Sequence, residues 1–194
     1  MVQAYLAWTW NRRQFGCKFP QNVCCSTHIP SGSPIFRIKG VSKTIMVKFT
    51  FATEKEGFDN HIEKSIRGYR DLWTDILKLS EYFVEDGTVV IDIGCSTGRL
   101  LKAMREQNER FAPECNYLGI EVEEDFFDDL SNNERLSFDH VDIRDFSWGE
   151  VENRCSLIIS MFTLQFIPKR DRQLILSSIN KGLAKGGALI FSEK

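Results

Sequence analysis

The 194-residue chain has only three histidines, His28, His61 and His140, and they lie far apart in sequence. Its six cysteines (Cys17, Cys24, Cys25, Cys95, Cys115, Cys155) include no C-x-x-C pair, and Cys24 and Cys25 are too close together for ordinary chelation. A metal centre is therefore not expected, and reduced structural thiols point to a cytoplasmic protein. No apolar run approaches the roughly 18 residues needed to cross a bilayer. Neither a G-x-G-x-x-G dinucleotide fingerprint nor a G-K-[ST] phosphate loop is present, and no Ser-His-Asp order or paired-carboxylate motif stands out. Acidic residues are absent from the first 50 positions, which hold seven lysines and arginines, leaving 18 basic against 27 acidic residues beyond them. The later part thus offers no broad phosphate-binding surface.

What is present falls into two compositions. Residues 1–47 contain Trp8, Trp10, Arg12, Arg13 and three of the five prolines, with no sustained period of 2 or 3.6, and read as an irregular basic extension. A secretory signal is disfavoured, because charge follows the apolar residues and no small-residue cleavage site closes them. An organelle transit peptide fits the basic, acid-poor composition but not the prolines. An over-extended reading of the gene ahead of Met46 is the preferred account.

From Phe58 the pattern becomes regular. Ile62, Ile66, Tyr69, Trp73, Ile76 and Leu77 recur at helical steps, with Gly68 expected to divide them into two helices. Strands are expected at TVVIDIG, NYLGIEV, LSFDHVDI, SLIISMF and ALIFSE. Between them come the helix RLLKAMREQNE, a short acidic helix EEDFFDDLSN, and a helix opened by Pro168 with Leu176, Ile179 and Leu183 on one face, closed by Gly186-Gly187. This alternation predicts an α/β fold over residues 48–194, Rossmann-like, with a mostly parallel sheet covered by helices on both faces.

Ligands of such sheets bind beyond the carboxyl ends of the strands. The first such turn reads VVIDIGCSTGRLL, with Asp92 near the strand end and Gly94, Cys95, Ser96 and Gly98 leading into a helix; its glycines permit close approach of backbone to a ligand. Glu121 ends the second strand, where a carboxylate can accept from both ribose hydroxyls, unless it is a solvated member of the acidic run that follows. Asp142 follows the third strand and can accept from an adenine amino group while Ile143 packs on the ring; the alternative is a loop carboxylate beside a core isoleucine. Three consecutive strand ends together predict a nucleoside site. Of Phe126, Phe127, Phe162 and Phe166, the first two read as helix packing, and Phe162 is the one expected in the pocket because it follows a strand end. His61 and His140 read as surface or packing residues.

The turn D-I-G-C-S-x-G, the strand-end acid and the D-I pair resemble class I S-adenosylmethionine-dependent methyltransferases. With FDNHIEKSIRGY, DIRDF, FTLQF and GGALIFSEK, the chain from Phe58 onward resembles the bacterial carboxy-S-adenosylmethionine synthases of the tRNA wobble-uridine (cmo5U34) pathway. That resemblance implies that Tyr69, Gly94, Cys95, Ser96, Glu121, Asp142 and Ile143 hold S-adenosylmethionine. It also implies a homodimer and prephenate as the small-molecule substrate, while the acidic balance beyond position 50 and the lack of an RNA module in the basic segment argue against direct tRNA binding. In the family, S-adenosylmethionine loses a methyl proton to become an ylide that captures carbon dioxide released from prephenate, giving carboxy-S-adenosylmethionine and phenylpyruvate. Glu121 stands where the family has Asp, and Met161 stands where it has an Asn that touches the ligand. The family also continues past S-E-K into a helix, two strands and an arginine that clamps the extra carboxylate. By this comparison the chain is a C-terminally shortened member, its last strands missing and the edge of ALIFSE left bare.

Overall fold

The computed structural model describes residues 3–8 and 57–193. The chain divides into two compact units, Met1–Trp10 with Thr50–Lys194, and Asn11–Phe49. The second unit lies outside the described residues, as do the proposed boundary at residue 47 and Cys17, Cys24 and Cys25.

Strand β1 (Gln3–Trp8) precedes helices α1 (Phe58–Ser65) and α2 (Tyr69–Phe83). Then follow β2 (Val89–Ile93), α3 (Arg99–Asn108), β3 (Asn116–Glu121), β4 (Leu136–His140), β5 (Cys155–Met161), α4 (Lys169–Gly182) and β6 (Leu183–Glu193). All five residues of β2 are buried, as expected of a strand covered on both faces. The sheet order is β1-β6-β5-β2-β3-β4, with β2 to β6 parallel and β1 antiparallel to β6. The chain runs outward from β2 through β3 to β4, then returns to the other side of β2 for β5 and β6. This reversal opens a crevice beyond the ends of β2 and β5.

Helices cover both faces. Ile76, Leu101 and Met104, each at most 1% exposed, pack with Val90, Leu157 and Ile190 on one side. Ile175 and Ile179 of α4 pack with Ile91, Ile158 and Leu189 on the other. Gly68 takes a left-handed conformation at φ +79° and separates α1 from α2, as the sequence leads one to expect. The acidic segment Glu124–Asp129 is a 3-10 helix, tighter than the short helix expected there.

Three expectations are corrected. Residues 3–8 are a strand instead of irregular chain, and that strand pairs along β6 from Gln3 opposite Glu193 to Trp8 opposite Ala188, so the edge of the final strand is covered. Gly186 and Gly187 do not close α4. The helix ends at Gly182, where the Lys181 and Gly182 carbonyls accept the Asn153 and Arg154 N–H groups at 2.9 and 3.1 Å, so partners ahead of β5 take the place of a glycine cap. The two glycines instead lie in an irregularity of β6, where Cys155 pairs with Leu183 but Leu157 with Ala188. Finally, Leu176 is exposed and Ile175 takes the buried position, because Ile175, Ile179 and Leu183 are the set that recurs every four residues toward the sheet.

Candidate functional site

Every candidate residue named from the sequence lies at the carboxyl ends of the parallel strands or on α2 above them. The turn after β2 is held by its own backbone. Gly94 and Cys95 both donate to the Ile120 carbonyl, at 2.7 and 3.2 Å, and Gly98 donates to the Cys95 carbonyl at 2.8 Å. Gly94 has φ +78°, and a Cβ there would overlap the Thr163 side chain, so this glycine lets the turns after β2 and β5 touch. Ser96 is left-handed despite its side chain, at φ +49°, and so is Phe162 after β5, at φ +58°. Such strain gathers where the surroundings over-determine a binding loop.

Glu121 is not the solvated residue that its acidic neighbourhood allowed. It is 6% exposed, and its carboxylate accepts the N–H groups of Ser96 at 2.9 Å, Val122 at 2.8 Å and Glu123 at 3.0 Å. It thereby ties the turn after β2 to the end of β3. Three of its roughly four acceptor positions are taken, which leaves about one for a ligand. Asp92, 4% exposed, has no hydrogen-bond partner among the described residues. Burial, helped by the Glu121 charge, pushes its carboxyl up to about 7.

Asp142 is gripped by Arg144, which sits two residues on. The guanidinium donates from Nε to Oδ1 at 2.9 Å and from Nη2 to Oδ2 at 2.5 Å, and the Arg144 N–H also reaches Oδ1 at 2.9 Å. These bonds hold the Asp142 carboxyl below its ordinary range against a smaller opposing effect of burial. Ile143, 7% exposed, packs in the α4-side core while lining the adjacent cleft.

Two clefts meet at Gly94. The first, of about 150 Å³, is bounded by Glu121, Asp142, Ile143 and Arg144 on one side and by Thr163, Phe166 and Ile167 on the other. The second, of about 50 Å³, lies under α1 and α2 and is lined by Tyr69, Asp92, Cys95, Ser96, Met161 and Phe162, with Asp59, Trp73 and Arg99 at its rim. Tyr69 and Phe162 stack at 6.2 Å, and burial pushes the Tyr69 hydroxyl up to about 12. Thr97 donates to Asp59 at 3.2 Å and Arg99 pairs with Glu63 at 2.9 Å, so α1 is fastened to the turn after β2. A third cavity is larger, about 400 Å³, but it lies against α3 and the start of β4, lined by Lys102, Arg105 and Leu136, and includes none of the candidates. Position at the strand ends, not volume, identifies the site.

Phe162 lines the pocket as expected, while Phe126 is buried against Phe58 and Phe127 packs on His140. Phe166, not expected in the pocket, is 64% exposed and lines the first cleft, because the 3-10 turn Leu164–Phe166 carries it out of the core. Arg144, Thr163, Asp59 and Arg99 were not legible as site residues. The spacing of Arg144 from Asp142 in D-I-R was a signal for the first; nothing local marked the others. Among the described residues no group of histidines, cysteines and acids is placed to hold a metal, and Cys95, Cys115 and Cys155 are free and buried.

A family model described as a methyltransferase domain matches residues 91–189, which is half of the chain. The chain belongs to the methyltransferase domain family. Its matched region runs from inside β2 into β6 and so contains β3, β4 and β5, parts of β2 and β6, and the turns just described. The carboxy-S-adenosyl-L-methionine synthase of Staphylococcus epidermidis is 35% identical over 153 residues, covering 76% of this chain and 64% of that protein. The synthase of Haemophilus ducreyi is 36% identical over 155 residues, covering 75% and 61%. The chain thus spans less than two thirds of the length of these curated relatives. Among solved structures, DesVI of Streptomyces venezuelae superposes with a TM-score of 0.54 at 19% identity, over 73% of this chain and 57% of that one. A Methanococcus maripaludis protein, described as an S-adenosyl-L-methionine-dependent methyltransferase, gives 0.55 at 20% identity, over 78% and 67%. These likenesses show that the methyltransferase domain has the class I, Rossmann-like fold. No described helix is long and apolar enough to cross a membrane.

Proposed function

We propose that the methyltransferase domain binds S-adenosyl-L-methionine across the two clefts. On this reading the chain acts as a carboxy-S-adenosyl-L-methionine synthase, converting S-adenosyl-L-methionine and prephenate to carboxy-S-adenosyl-L-methionine and phenylpyruvate. The observation that carries this reading is the meeting of the clefts at Gly94, with a carboxylate at each of the ends of β2, β3 and β4. The residues suit the ligand's parts. Asp142 offers an acceptor to the adenine amino group, with Ile143 and Phe166 as apolar walls for the ring. Glu121 has about one acceptor position left for a ribose hydroxyl, fewer than the two contacts expected from its place in the sequence. Tyr69, Phe162 and the buried Asp92 face the part of the second cleft suited to a sulfonium cation.

When bound, S-adenosyl-L-methionine supplies an activated methyl group. The protein's share is to hold it dry and oriented, and no side-chain nucleophile is required. Both clefts are small for a nucleoside, so α1, whose flanking Gly57 and Gly68 have φ of +91° and +79°, would move outward on entry. The product would feed tRNA wobble-uridine (cmo5U34) modification in the cytoplasm. The chain would work as a homodimer without itself binding tRNA, consistent with the excess of acidic over basic residues beyond position 50.

Met161 favours a second reading. It lines the second cleft and offers a thioether where the resembled family places an amide, which removes a polar contact and raises the standing of an ordinary methyltransferase with another acceptor. Mass spectrometry of small molecules released from the purified protein separates the two. Recovery of the carboxylated nucleoside, or its formation on adding prephenate, supports the synthase; S-adenosylmethionine or S-adenosylhomocysteine alone supports the plain methyltransferase; no nucleoside, bound or added, would sink both.

A further inference from the structure

Among the described residues, Arg99 supplies the one positive side chain in the lining of the second cleft, whose other charged groups are Asp59 and Asp92. Its guanidinium lies 5.2 Å from the centre of the Trp73 ring and 2.9 Å from a Glu63 oxygen, and its side chain is 42% exposed. Arg99 is the stronger of two partners of Glu63, and Arg70 is the second. Arg70 binds the other carboxylate oxygen, Oε2, through Nη2 at 2.9 Å and Nε at 3.1 Å, while Arg99 holds Oε1. Arg99 can therefore turn toward a ligand and leave Glu63 paired. Arg99 Nη1 also lies 4.0 Å from Asp59, which keeps its hydrogen bond from Thr97 when Arg99 turns, and part-exposed pairs of this kind cost little to exchange.

Resting on the proposed binding of S-adenosyl-L-methionine, the geometry points to Arg99 as the residue that takes the α-carboxylate of an amino-acid-bearing nucleoside. Glu63 acts as its parking partner while the cleft is empty of substrate. The chemistry matches part for part. The amino-acid end of such a ligand is a zwitterion; a planar guanidinium binds a carboxylate through two parallel N–H bonds, and Asp59 and Asp92 provide acceptors for the ammonium. Stacking on Trp73 keeps the guanidinium at the rim, so little side-chain freedom is lost when it engages. A nucleoside without the amino-acid tail has nothing for Arg99 to hold. Arg99 thus sets the cleft's preference for S-adenosylmethionine and S-adenosylhomocysteine over tail-less thioadenosines.

The test is calorimetric titration of the full chain and its Arg99→Ala, Arg99→Lys and Glu63→Gln variants with S-adenosylhomocysteine and with 5′-methylthioadenosine. Loss of a charge-assisted carboxylate contact should weaken S-adenosylhomocysteine about tenfold to a hundredfold in Arg99→Ala, with Arg99→Lys between, and leave methylthioadenosine unchanged. Glu63→Gln, which loosens the competing pair, should tighten S-adenosylhomocysteine and not methylthioadenosine. Equal effects on both ligands, or none on either, overturn the assignment while leaving the nucleoside site intact. Failure of the unaltered chain to bind either ligand overturns the nucleoside reading and the role of Arg99 with it.

Discussion

Arg144 reaches back two residues and clasps both oxygens of Asp142, at 2.9 and 2.5 Å, while its other Nη lies 3.7 Å from Asp171 in the first turn of α4. One guanidinium thus joins the end of β4 to the helix that follows β5, across the mouth of the first cleft. Asp142 is held as an acceptor in a fixed orientation before any ligand arrives.

Replacing Arg144 with Gln is expected to weaken adenosine-containing ligands about tenfold by freeing Asp142, as measured by calorimetry. The pair also links stability to pH. Because the folded-state value of Asp142 is lowered, its contribution is present above the ordinary Asp value of about 3.9 and is lost as pH falls through the lower folded value. The melting temperature of the unaltered chain should exceed that of Arg144→Gln at pH 7, and the gap should close in strong acid; a gap that does not change with pH would refute the linkage.

Asp92 has the opposite sign. Its folded value is raised to about 7, so between about 4 and 7 the folded chain keeps a proton that the unfolded chain has released. Stability therefore falls across this window as pH rises. Asp92→Asn should flatten that slope and melt at a higher temperature than the unaltered chain at pH 8. Binding of a sulfonium ligand should strengthen through pH 7 in the unaltered chain, as Asp92 ionises, and not in the variant. Thermal scans and titrations at pH 5, 6, 7 and 8 read both.

Gly94→Ala should destabilise the fold by about 1–3 kcal/mol, since it adds a Cβ to a left-handed residue and drives it into the Thr163 side chain. Adding Thr163→Ala should recover the part due to overlap and leave the part due to φ. Denaturant melts of the single and double variants separate the two contributions; full recovery would show that φ carries no cost here.

Thr97→Val removes the hydroxyl that bonds Asp59 at 3.2 Å, one of the fastenings of α1 to the turn after β2. Amide hydrogen exchange in Phe58–Ser65 should quicken several-fold, with α3 and the sheet unaffected, because local opening follows the contacts that hold a segment. Exchange that stays the same would place the restraint in the Arg99–Glu63 pair or in the Phe58–Phe126 contact, whose ring centres are 5.1 Å apart.

Much of this architecture was legible in the chain. The β-branched run TVVIDIG could only be a buried strand, Gly68 and Gly98 divided helices from what precedes them, and the acids at positions 92, 121 and 142 fell at strand ends because strand length and turn length are local properties. The end of α4 was misplaced for a definite reason. Its last carbonyls find donors at Asn153 and Arg154, about thirty residues earlier, and no local pattern announces a partner that distant. Leu176 was misassigned because positions 175 and 176 both satisfy helical spacing, and only the facing sheet selects between them.

The sequence by itself determined the order of strands and helices from Phe58 onward, the glycine turn after β2 and the three strand-end carboxylates, since each follows from spacing and from side-chain chemistry along a few residues. Tertiary structure alone decided that Glu121 is buried under three backbone donors, that β1 covers β6, that Thr163 fills the space beside Gly94, and that Arg99 faces the second cleft from beneath α1. These are contacts between segments far apart in the chain, and they exist only once the sheet has brought its strand ends to one edge.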